Sequence, residues 1–314
     1  LYHLCPGDAI GSPLRRRCGF GIGPSEEMEA EMERRSGERG CGVSGEGETF
    51  HLCQPDPGKS CGACCGLYNY ADSTRDSLSA RLRARTRRFL RTGRSPEELH
   101  AFSSWVAENE DPAKRYEVIY CCEFLGFLDD GDRRVGCLLH PAGNNGSDLR
   151  EISFYGRELC HGHLCPSYTY LTGTEKEVLI AVLDDWHLYG LCVTDIDFVK
   201  QYVKFVADRL GQSPPGALFR KGAARQAAQK FLSLKVLWPF RDPAVNRLGK
   251  YYFDGSSYMI GQIDYGKLRC EPSRFDTIFV SLSSVFASRT ELRRAEEIIE
   301  AGISETVRIL RGTA

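Results

Sequence analysis

The sequence predicts an α+β fold that is mostly helical, in which a cysteine-rich part with short β elements precedes a helical region with a β-hairpin. Three observations predict this. Long segments repeat apolar residues at helical spacing between recognisable caps. Two segments combine apolar runs with a short polar turn, the pattern typical of a hairpin. Nine of the 14 cysteines lie between Cys53 and Cys165, and only Cys192 and Cys270 follow.

The cysteine distribution divides the chain into three parts. Residues 1–48 are rich in Gly, Arg and Glu, and the first Met is Met28, so we interpret them as a poorly ordered leader or a misassigned start. Three cysteines there are expected to be incidental thiols: Cys5, Cys18 and Cys41. Residues 49–171 form the cysteine-rich module, and residues 172–314 form the mainly helical region.

Charge and hydropathy exclude several classes of protein. The 41 Lys and Arg balance 42 Asp and Glu, which favours neither nucleic-acid binding nor an acidic tail. The longest compact apolar run, at residues 178–183, is far shorter than the roughly 18 residues of a membrane-spanning helix. The start lacks the pattern of a secretory signal. We therefore expect a cytoplasmic protein with no nucleic-acid or membrane partner, in a reducing compartment where disulfides are disfavoured.

An arginine-rich helix is predicted over residues 73–93. The segment has a Ser start, good helix formers and a Gly stop. Eight Arg lie between Arg75 and Arg94, with one acid, Asp76, among them. This pattern indicates either a phosphate-binding face or a solvated helix face whose charges are balanced elsewhere.

A second helix and a hairpin complete the predicted elements of the cysteine-rich module. Ser95 is a suitable cap, and Pro96 suits the first helical position of a helix that turns its apolar residues inward. The apolar clusters of residues 116–139 flank a polar turn, which predicts a β-hairpin. This turn is expected to bring Cys122 and Cys137 close together.

Helices dominate the predicted second half. Residues 172–191 open with a capping box and repeat apolar residues, which predicts one helix. Further helices are predicted over three segments: residues 194–211, 216–238 and 288–312. The last has an apolar stripe, with a bend expected at Gly302. The Asp254–Gly255 turn between aromatic runs predicts a β-hairpin.

Short cysteine spacings predict a metal site. In the C-x-x-C pair of Cys61 and Cys64, the gap folds into a tight turn, Gly62 tolerates a positive φ, and both sulfurs reach one metal. The strongest ligand candidates by spacing are Cys61, Cys64, Cys122, Cys137, Cys160 and Cys165. A tetrahedral zinc site needs four ligands and an iron–sulfur cluster usually takes four thiolates, so eight cysteines satisfy two centres, or one cluster plus spares.

Two pairs of adjacent cysteines raise a geometric question. Neighbouring side chains point in different directions, so either Cys64 and Cys65 bind two adjacent metals, or one of them faces the core. Of Cys121 and Cys122, we favour Cys122 as the ligand because it begins the "CEFL" segment that leads to the polar turn.

Histidines near the cysteines and disulfide redox chemistry offer alternatives to a site of cysteine ligands alone. Imidazole could replace a thiolate at three positions, although a surface or hydrogen-bonding role is favoured for each one taken singly: His140, His161 and His163. Disulfide redox chemistry at Cys61 and Cys64 is disfavoured because no strand of a βαβ unit precedes them.

Four segments resemble the YkgJ-like family, described as a zinc- or iron-chelating domain with a CxxCxxCC motif and as an Fe–S-cluster-containing protein. They are "CQPDPGKSCGACC", "CEFLGF", "GCLLHP" and "CHGHLCPSY". The resemblance implies eight cysteine ligands: Cys53, Cys61, Cys64, Cys65, Cys122, Cys137, Cys160 and Cys165. The family has two residues between its first two cysteines, whereas seven separate Cys53 from Cys61. Whether Cys53, Cys121, His161 and His163 are ligands stays open.

Three functional hypotheses follow. The first is a metal-binding protein that holds an iron–sulfur cluster, with [4Fe-4S] favoured, or zinc, and whose helical region packs over the site or docks a protein partner. The second is a metal- or cluster-dependent group-transfer enzyme similar to protein lysine N-methylases. Its candidate acids are Asp184, Asp185, Asp264 and Asp276, but the Gly-rich residues 19–25 lack the strand–helix context of a cofactor loop. The third is a structural zinc scaffold for protein interaction.

Overall fold

Helices make up most of the chain that the computed structural model describes, namely residues 51–242, 244, 251–254 and 257–312. The α-helices are α1 (Arg75–Phe89), α2 (Pro96–Asn109), α3 (Gly156–Gly162), α4 (Ser167–Tyr170), α5 (Gly173–Val182), α6 (Trp186–Val193), α7 (Ile196–Leu210), α8 (Gly222–Leu232), α9 (Leu234–Leu237), α10 (Tyr265–Leu268), α11 (Asp276–Ser281) and α12 (Arg289–Gly312). The strands are β1 (Leu125–Phe127), β2 (Val135–Cys137), β3 (Tyr251–Asp254) and β4 (Ser257–Ile260). The predicted mostly helical α+β fold is confirmed.

The first two helices begin at side-chain caps. Thr74, one residue after the expected Ser start, accepts a hydrogen bond from the backbone of Ser77 and opens α1. Ser95 caps α2, as the sequence predicts, and it also forms a complete capping box with Glu98. The inward face of α2 is the expected one and consists of Leu99, Phe102 and Val106.

The first hairpin is shorter than predicted. β1 and β2 pair antiparallel with Leu125 opposite Cys137, but residues 116–122 lie outside the strands. The reason is Asn69, whose amide group donates to the carbonyls of Tyr116 and Ile119, each at 2.9 Å. These bonds fold the segment into a turn, which takes its backbone out of any strand ladder.

The helix predicted over residues 172–191 is two helices, α5 and α6. The chain becomes extended at Leu183, with φ −103° and ψ 121°. The Asp185 carboxylate then accepts hydrogen bonds from the backbone N–H groups of His187 and Leu188 and begins α6. Helical periodicity continued across the break because both helices bury apolar residues, so the Asp185 cap was the available signal.

The helix predicted over residues 216–238 is also divided. A 3₁₀ turn at Gly216–Phe219 is followed by α8 and the short α9. Lys221 is extended and Gly222 has a φ of +70°, so the backbone cannot continue a helix there.

A large apolar cluster, termed the helical core, holds α5–α9 and α11–α12 together. Helix α12 contributes the stripe that the sequence predicts: Leu292, Ala295, Ile299, Ile303 and Val307. The helix passes Gly302 without interruption, and a Cβ there would lie 2.9 Å from the Phe231 ring of α8. The glycine therefore allows close packing rather than a bend. Leu52 and Cys61 pack against this same core.

Two smaller apolar clusters lie under the cysteine-rich residues. One includes Tyr68, Leu82, Phe127 and Trp186, and the other, termed the α2 cluster, includes Phe102, Phe124 and Leu139. The proposed division of the chain at residue 171 stays a prediction.

The second hairpin has β3 and β4 paired antiparallel, with Tyr251 opposite Ile260. Gly255 of the predicted turn lies outside the described residues, as do residues 1–48 with Cys5, Cys18 and Cys41. In the described part of the chain, no helix is long and apolar enough to cross a membrane.

Candidate metal centre

The loop before the C-x-x-C pair is fastened to the first hairpin. The Gln54 amide donates to the carbonyl of Val135 at 3.0 Å, and the backbone N–H of Val135 donates to the Ser60 hydroxyl. Lys59, which is 4% exposed, donates to the carbonyl of Ile180 at the end of α5 and pairs with Asp56 at 3.2 Å. This polar loop therefore sets the position of the sulfurs that follow it.

The C-x-x-C pair turns through a 3₁₀ helix at Ala63–Cys65. Gly62 has a φ of −115°, so the expectation that its positive φ makes the turn is wrong. Gly62 instead leaves room for a neighbour, because a Cβ at this position would lie only 2.9 Å from a Val135 methyl group. The left-handed residue is Gly66, with a φ of +77°, and a Cβ there would lie 2.0 Å from the Tyr120 carbonyl oxygen.

Four cysteines, termed the first thiol group, gather around the C-x-x-C turn and Tyr168: Cys53, Cys61, Cys64 and Cys165. The backbone N–H of Cys61 donates to the Cys53 carbonyl at 2.9 Å. The Tyr168 hydroxyl donates to Cys53 Sγ at 3.5 Å, and the Tyr168 backbone N–H donates to the Cys165 carbonyl at 2.9 Å. The Cys64 thiol completes the group, since it lies near enough to Cys165 to lower the pKa of that thiol.

Four others, termed the second thiol group, gather between the hairpin and α3: Cys65, Cys122, Cys137 and Cys160. The backbone N–H of Cys122 donates to the Cys65 carbonyl at 2.9 Å. Three members, Cys65, Cys122 and Cys137, pack against the α2 cluster. Cys160 shares a hydrogen bond of 3.6 Å with the Ser153 hydroxyl. Spacing alone had omitted Cys65 from the strongest candidates.

Electrostatic interactions within each group follow this geometry. In the first group, burial raises the pKa of Cys61, and the thiols of Cys53, Cys165 and, from the neighbouring second group, Cys65 raise it further. The Cys64 thiol, aided by the backbone N–H of Ser167, outweighs burial and lowers the pKa of Cys165 to about 6.

In the second thiol group every resolved shift is upward. Burial, followed by the thiols of Cys137 and Cys160, raises the pKa of Cys65 to about 12. Burial also raises the pKa of Cys137 to about 11, and the Cys160 thiol adds to it while a backbone hydrogen bond opposes it. The Cys53 thiol also raises the pKa of Cys65, so the first and second thiol groups are neighbours. Most of these sulfurs are therefore neutral thiols at neutral pH unless a cation stabilises the thiolates.

The donor set fits a thiophilic metal centre in chemistry, but the sulfurs do not converge on one point. All 11 cysteines of the described residues are free thiols. Cys64 is exposed, Cys122 and Cys165 are buried, and the other members of the two groups are half-buried. Within residues 51–242 and the later described ranges, the structure contains no group of three or more His, Cys, Asp or Glu side chains arranged to hold a metal ion. A bound ion would have to draw the sulfurs of a group together.

The other cysteines and the candidate histidines have different surroundings. Cys121 receives a hydrogen bond from the Asn69 amide at 3.7 Å and donates to the Gly66 carbonyl at 3.3 Å. Cys192 is buried in the helical core. His140 Nδ1 accepts a hydrogen bond from the backbone of Ala142 and caps a 3₁₀ turn. These contacts give each side chain a structural role.

The arginine-rich helix has acidic partners. Arg85, 1% exposed, binds Glu110 through two hydrogen bonds of 2.7 Å and donates to the Cys122 carbonyl at 2.9 Å. Arg83 pairs with Asp132, and Arg75 with Asp185. Of the two readings of this helix, the structure favours charges balanced by neighbouring acids.

The candidate acids of the enzyme hypothesis also have structural contacts. Asp184 pairs with Arg225, and Asp185 caps α6. Asp264 caps α10 and accepts from the backbone of Lys267 at 2.8 Å, while Asp276 accepts from the Tyr265 hydroxyl at 2.8 Å. The Gly-rich residues 19–25 lie outside the described residues.

Residues that support the thiols were missed in the sequence. Ser167 and Tyr168 lie two and three residues after Cys165, and Ser167 Oγ lies 3.2 Å from Cys165 Sγ. Arg150 pairs with Asp148 at 2.6 Å, and its charge opposes the raised pKa of Cys137. The "CPSY" stretch was the available signal for Ser167 and Tyr168 because it places polar hydrogen-bonding groups beside a candidate ligand.

Comparison with known proteins returned no match. No protein-family model, no curated protein and no solved structure matches the chain.

Proposed function

We propose that this chain is a metal-binding protein whose eight clustered cysteines hold an iron–sulfur cluster or zinc, in the manner implied by its resemblance to the YkgJ-like family. A [4Fe-4S] cluster is the favoured group. The proposal extends to the cytoplasm as the setting, because a reducing compartment keeps thiols free for metal.

One observation carries the proposal. Eight free thiols come from four separate segments of the chain, and each interacts electrostatically with at least one other. Clustering of buried thiols raises their pKa values, and a cation that binds thiolates removes that cost. Both zinc and iron–sulfur clusters are bound by sets of four thiolates.

The apolar setting supports the same assignment. Phe124, Leu138 and Leu139 belong to the α2 cluster, against which members of the second thiol group pack. An apolar wall limits the access of water to a centre and strengthens its hydrogen bonds and charges. The residues would supply thiolate ligands, and the bound group would supply the Lewis-acid or redox chemistry.

Elemental analysis of protein purified without oxygen tests the proposal. We expect iron and acid-labile sulfide with a broad visible absorption band, or zinc in a colourless protein. The matched control is Cys192→Ser, which removes a buried thiol outside both thiol groups and should leave metal content unchanged. Protein that takes up neither zinc nor iron and sulfide would contradict the proposal.

A further inference from the structure

The eight cysteines are divided by the backbone into two sets that do not follow chain order. The first thiol group combines three cysteines of the C-x-x-C loop with Cys165, and the second combines Cys65 with Cys122, Cys137 and Cys160. One pair of cysteines in each set is joined by a main-chain contact. Cys53 is tied to Cys61, and Cys65 to Cys122, each by a backbone hydrogen bond of 2.9 Å.

The division occurs within the adjacent pair. The turn closes with the Cys65 N–H donating to the Gly62 carbonyl at 3.2 Å, and Gly66 then takes a φ of +77° against the backbone of Tyr120. Cys64 is exposed and lies near Cys165, while Cys65 packs against the α2 cluster. The two neighbouring side chains therefore point into different surroundings.

The later pair diverges in the same way. Cys160 lies on α3 beside Ser153, at a hydrogen-bond distance of 3.6 Å. Helix α3 ends at Gly162, the chain becomes extended at His163, and Cys165 then joins the turn that holds Tyr168. A break in the helix thus separates two cysteines that are five residues apart in the sequence.

We propose that the two thiol groups are two separate, adjacent metal centres, each with four thiolate ligands, and that Cys64 and Cys65 belong to different centres. This proposal rests on the proposed function and deepens it, because it fixes the stoichiometry and the ligand set of each centre. Four thiolates complete a tetrahedral zinc site or a [4Fe-4S] cluster, so neither group needs a ligand from the other.

The alternative is a single centre with spare cysteines. In that arrangement one set of four would be retained for metal and the remaining thiols would be dispensable. The packing argues against it, because seven of the eight thiols, from both groups, are buried or half-buried and only Cys64 is exposed.

Zinc stoichiometry of the unmodified chain is the first test. The metal-free protein is loaded with zinc alone under anaerobic conditions and weighed by native mass spectrometry. We expect two zinc ions per chain, each with four sulfur neighbours at about 2.3 Å in X-ray absorption. One zinc ion per chain would overturn the two-centre proposal while leaving metal binding intact.

Paired variants assign the ligands. Cys61→Ser removes a ligand of the first group only, and Cys137→Ser removes a ligand of the second group only. Each should keep one of two zinc ions, and the double variant should keep none. Cys121→Ser is the matched control because Cys121 neighbours Cys122 in the chain but contacts Asn69 and Gly66. Loss of all zinc in one variant and of none in the other would indicate a single centre.

The outcomes separate the two proposals. A chain that takes up neither zinc nor, in a parallel experiment, iron and sulfide contradicts the proposed function, and the division falls with it. A chain that binds one ion contradicts the division alone. If a variant fails to fold, the stoichiometry and sulfur count of the unmodified chain still decide the question.

Discussion

Tyr168 and Cys53 hold each other through two hydrogen bonds although 115 residues separate them. The Cys53 backbone N–H donates to Tyr168 Oη at 3.2 Å, and the Tyr168 hydroxyl donates to Cys53 Sγ at 3.5 Å. Cys53 stands apart from Cys61 in the sequence, yet this contact brings it beside Cys165. A supporting hydrogen bond to a sulfur orients a ligand and tunes its basicity.

The Tyr168→Phe substitution should weaken the first thiol group. It removes both hydrogen bonds, so we expect a loss of about 1 kcal/mol in the free energy of unfolding. Zinc affinity of the first thiol group should fall about tenfold, as is usual when a supporting contact to a ligand is lost. Chelator competition and denaturant unfolding measure the two effects. Tyr170→Phe, at an exposed tyrosine on the same short helix, is the control, and an equal effect in both variants would contradict this role.

Gly66→Ala should separate the Cys65 segment from the Cys122 segment. The new Cβ would meet the Tyr120 carbonyl oxygen at 2.0 Å, which the backbone can relieve only by moving. Gly211 has the same φ of +77° with no atom within 4 Å of its Cβ position. Gly211→Ala therefore measures the conformational cost alone, about 1 kcal/mol. We expect Gly66→Ala to lower the free energy of unfolding by more than about 3 kcal/mol, as measured by thermal or denaturant unfolding. Equal losses in the two variants would show that the close approach of residue 66 to Tyr120 is unimportant.

Arg85→Met should destabilise the fold far more than an exposed arginine substitution on the same helix. It removes one of the two arginines that pair with Glu110 and a donor to the Cys122 carbonyl. Because Arg81 still pairs with Glu110, the loss should lie at the lower end of the about 3–5 kcal/mol that breaking a buried ion pair costs. Arg87→Met is the matched control because Arg87 is exposed. Denaturant unfolding monitored by circular dichroism compares them, and similar midpoints would refute the assignment.

The Lys235–Asp195 pair is a second buried ion pair, in the helical core. Lys235 is 0% exposed and also donates to the Ser281 carbonyl at 2.7 Å, while Asp195 caps α7. Lys235→Met should cost about 3–5 kcal/mol because it leaves a buried carboxylate unpaired. The double variant with Asp195→Asn, which retains a capping side chain, should lose less than the sum of the single losses. Additive losses in a double-mutant cycle would contradict direct coupling.

The Cys64–Cys165 pair should ionise at unusually low pH in the metal-free protein. The fold lowers the pKa of Cys165 from its ordinary 9.0 to about 6, chiefly through the neighbouring Cys64 thiol. The contribution of this group to stability is therefore fully present above pH 9.0 and is lost as the pH falls through about 6. The ultraviolet thiolate band should show one thiolate formed near that pH. Cys64→Ala should move this ionisation upward, and an unchanged titration would contradict the assignment.

Local signals predicted a large part of the fold. The Ser95 cap of α2, the Gly211 stop of α7 and the apolar stripe of α12 all lie where the sequence indicates. These features depend on residues within one or two turns, so a short window of sequence contains them. The split between α5 and α6 was missed because apolar periodicity alone does not report a single extended residue.

By itself, the sequence determined the helical and hairpin segments and the set of cysteines that could serve as ligands. Only the tertiary structure decided which thiols are neighbours, that Cys64 and Cys65 face different groups, and that Cys160 and Cys165 part at the end of α3. The physical reason is range. A helix cap acts over a few residues, whereas the surroundings of a sulfur depend on segments up to 115 residues apart that packing brings together.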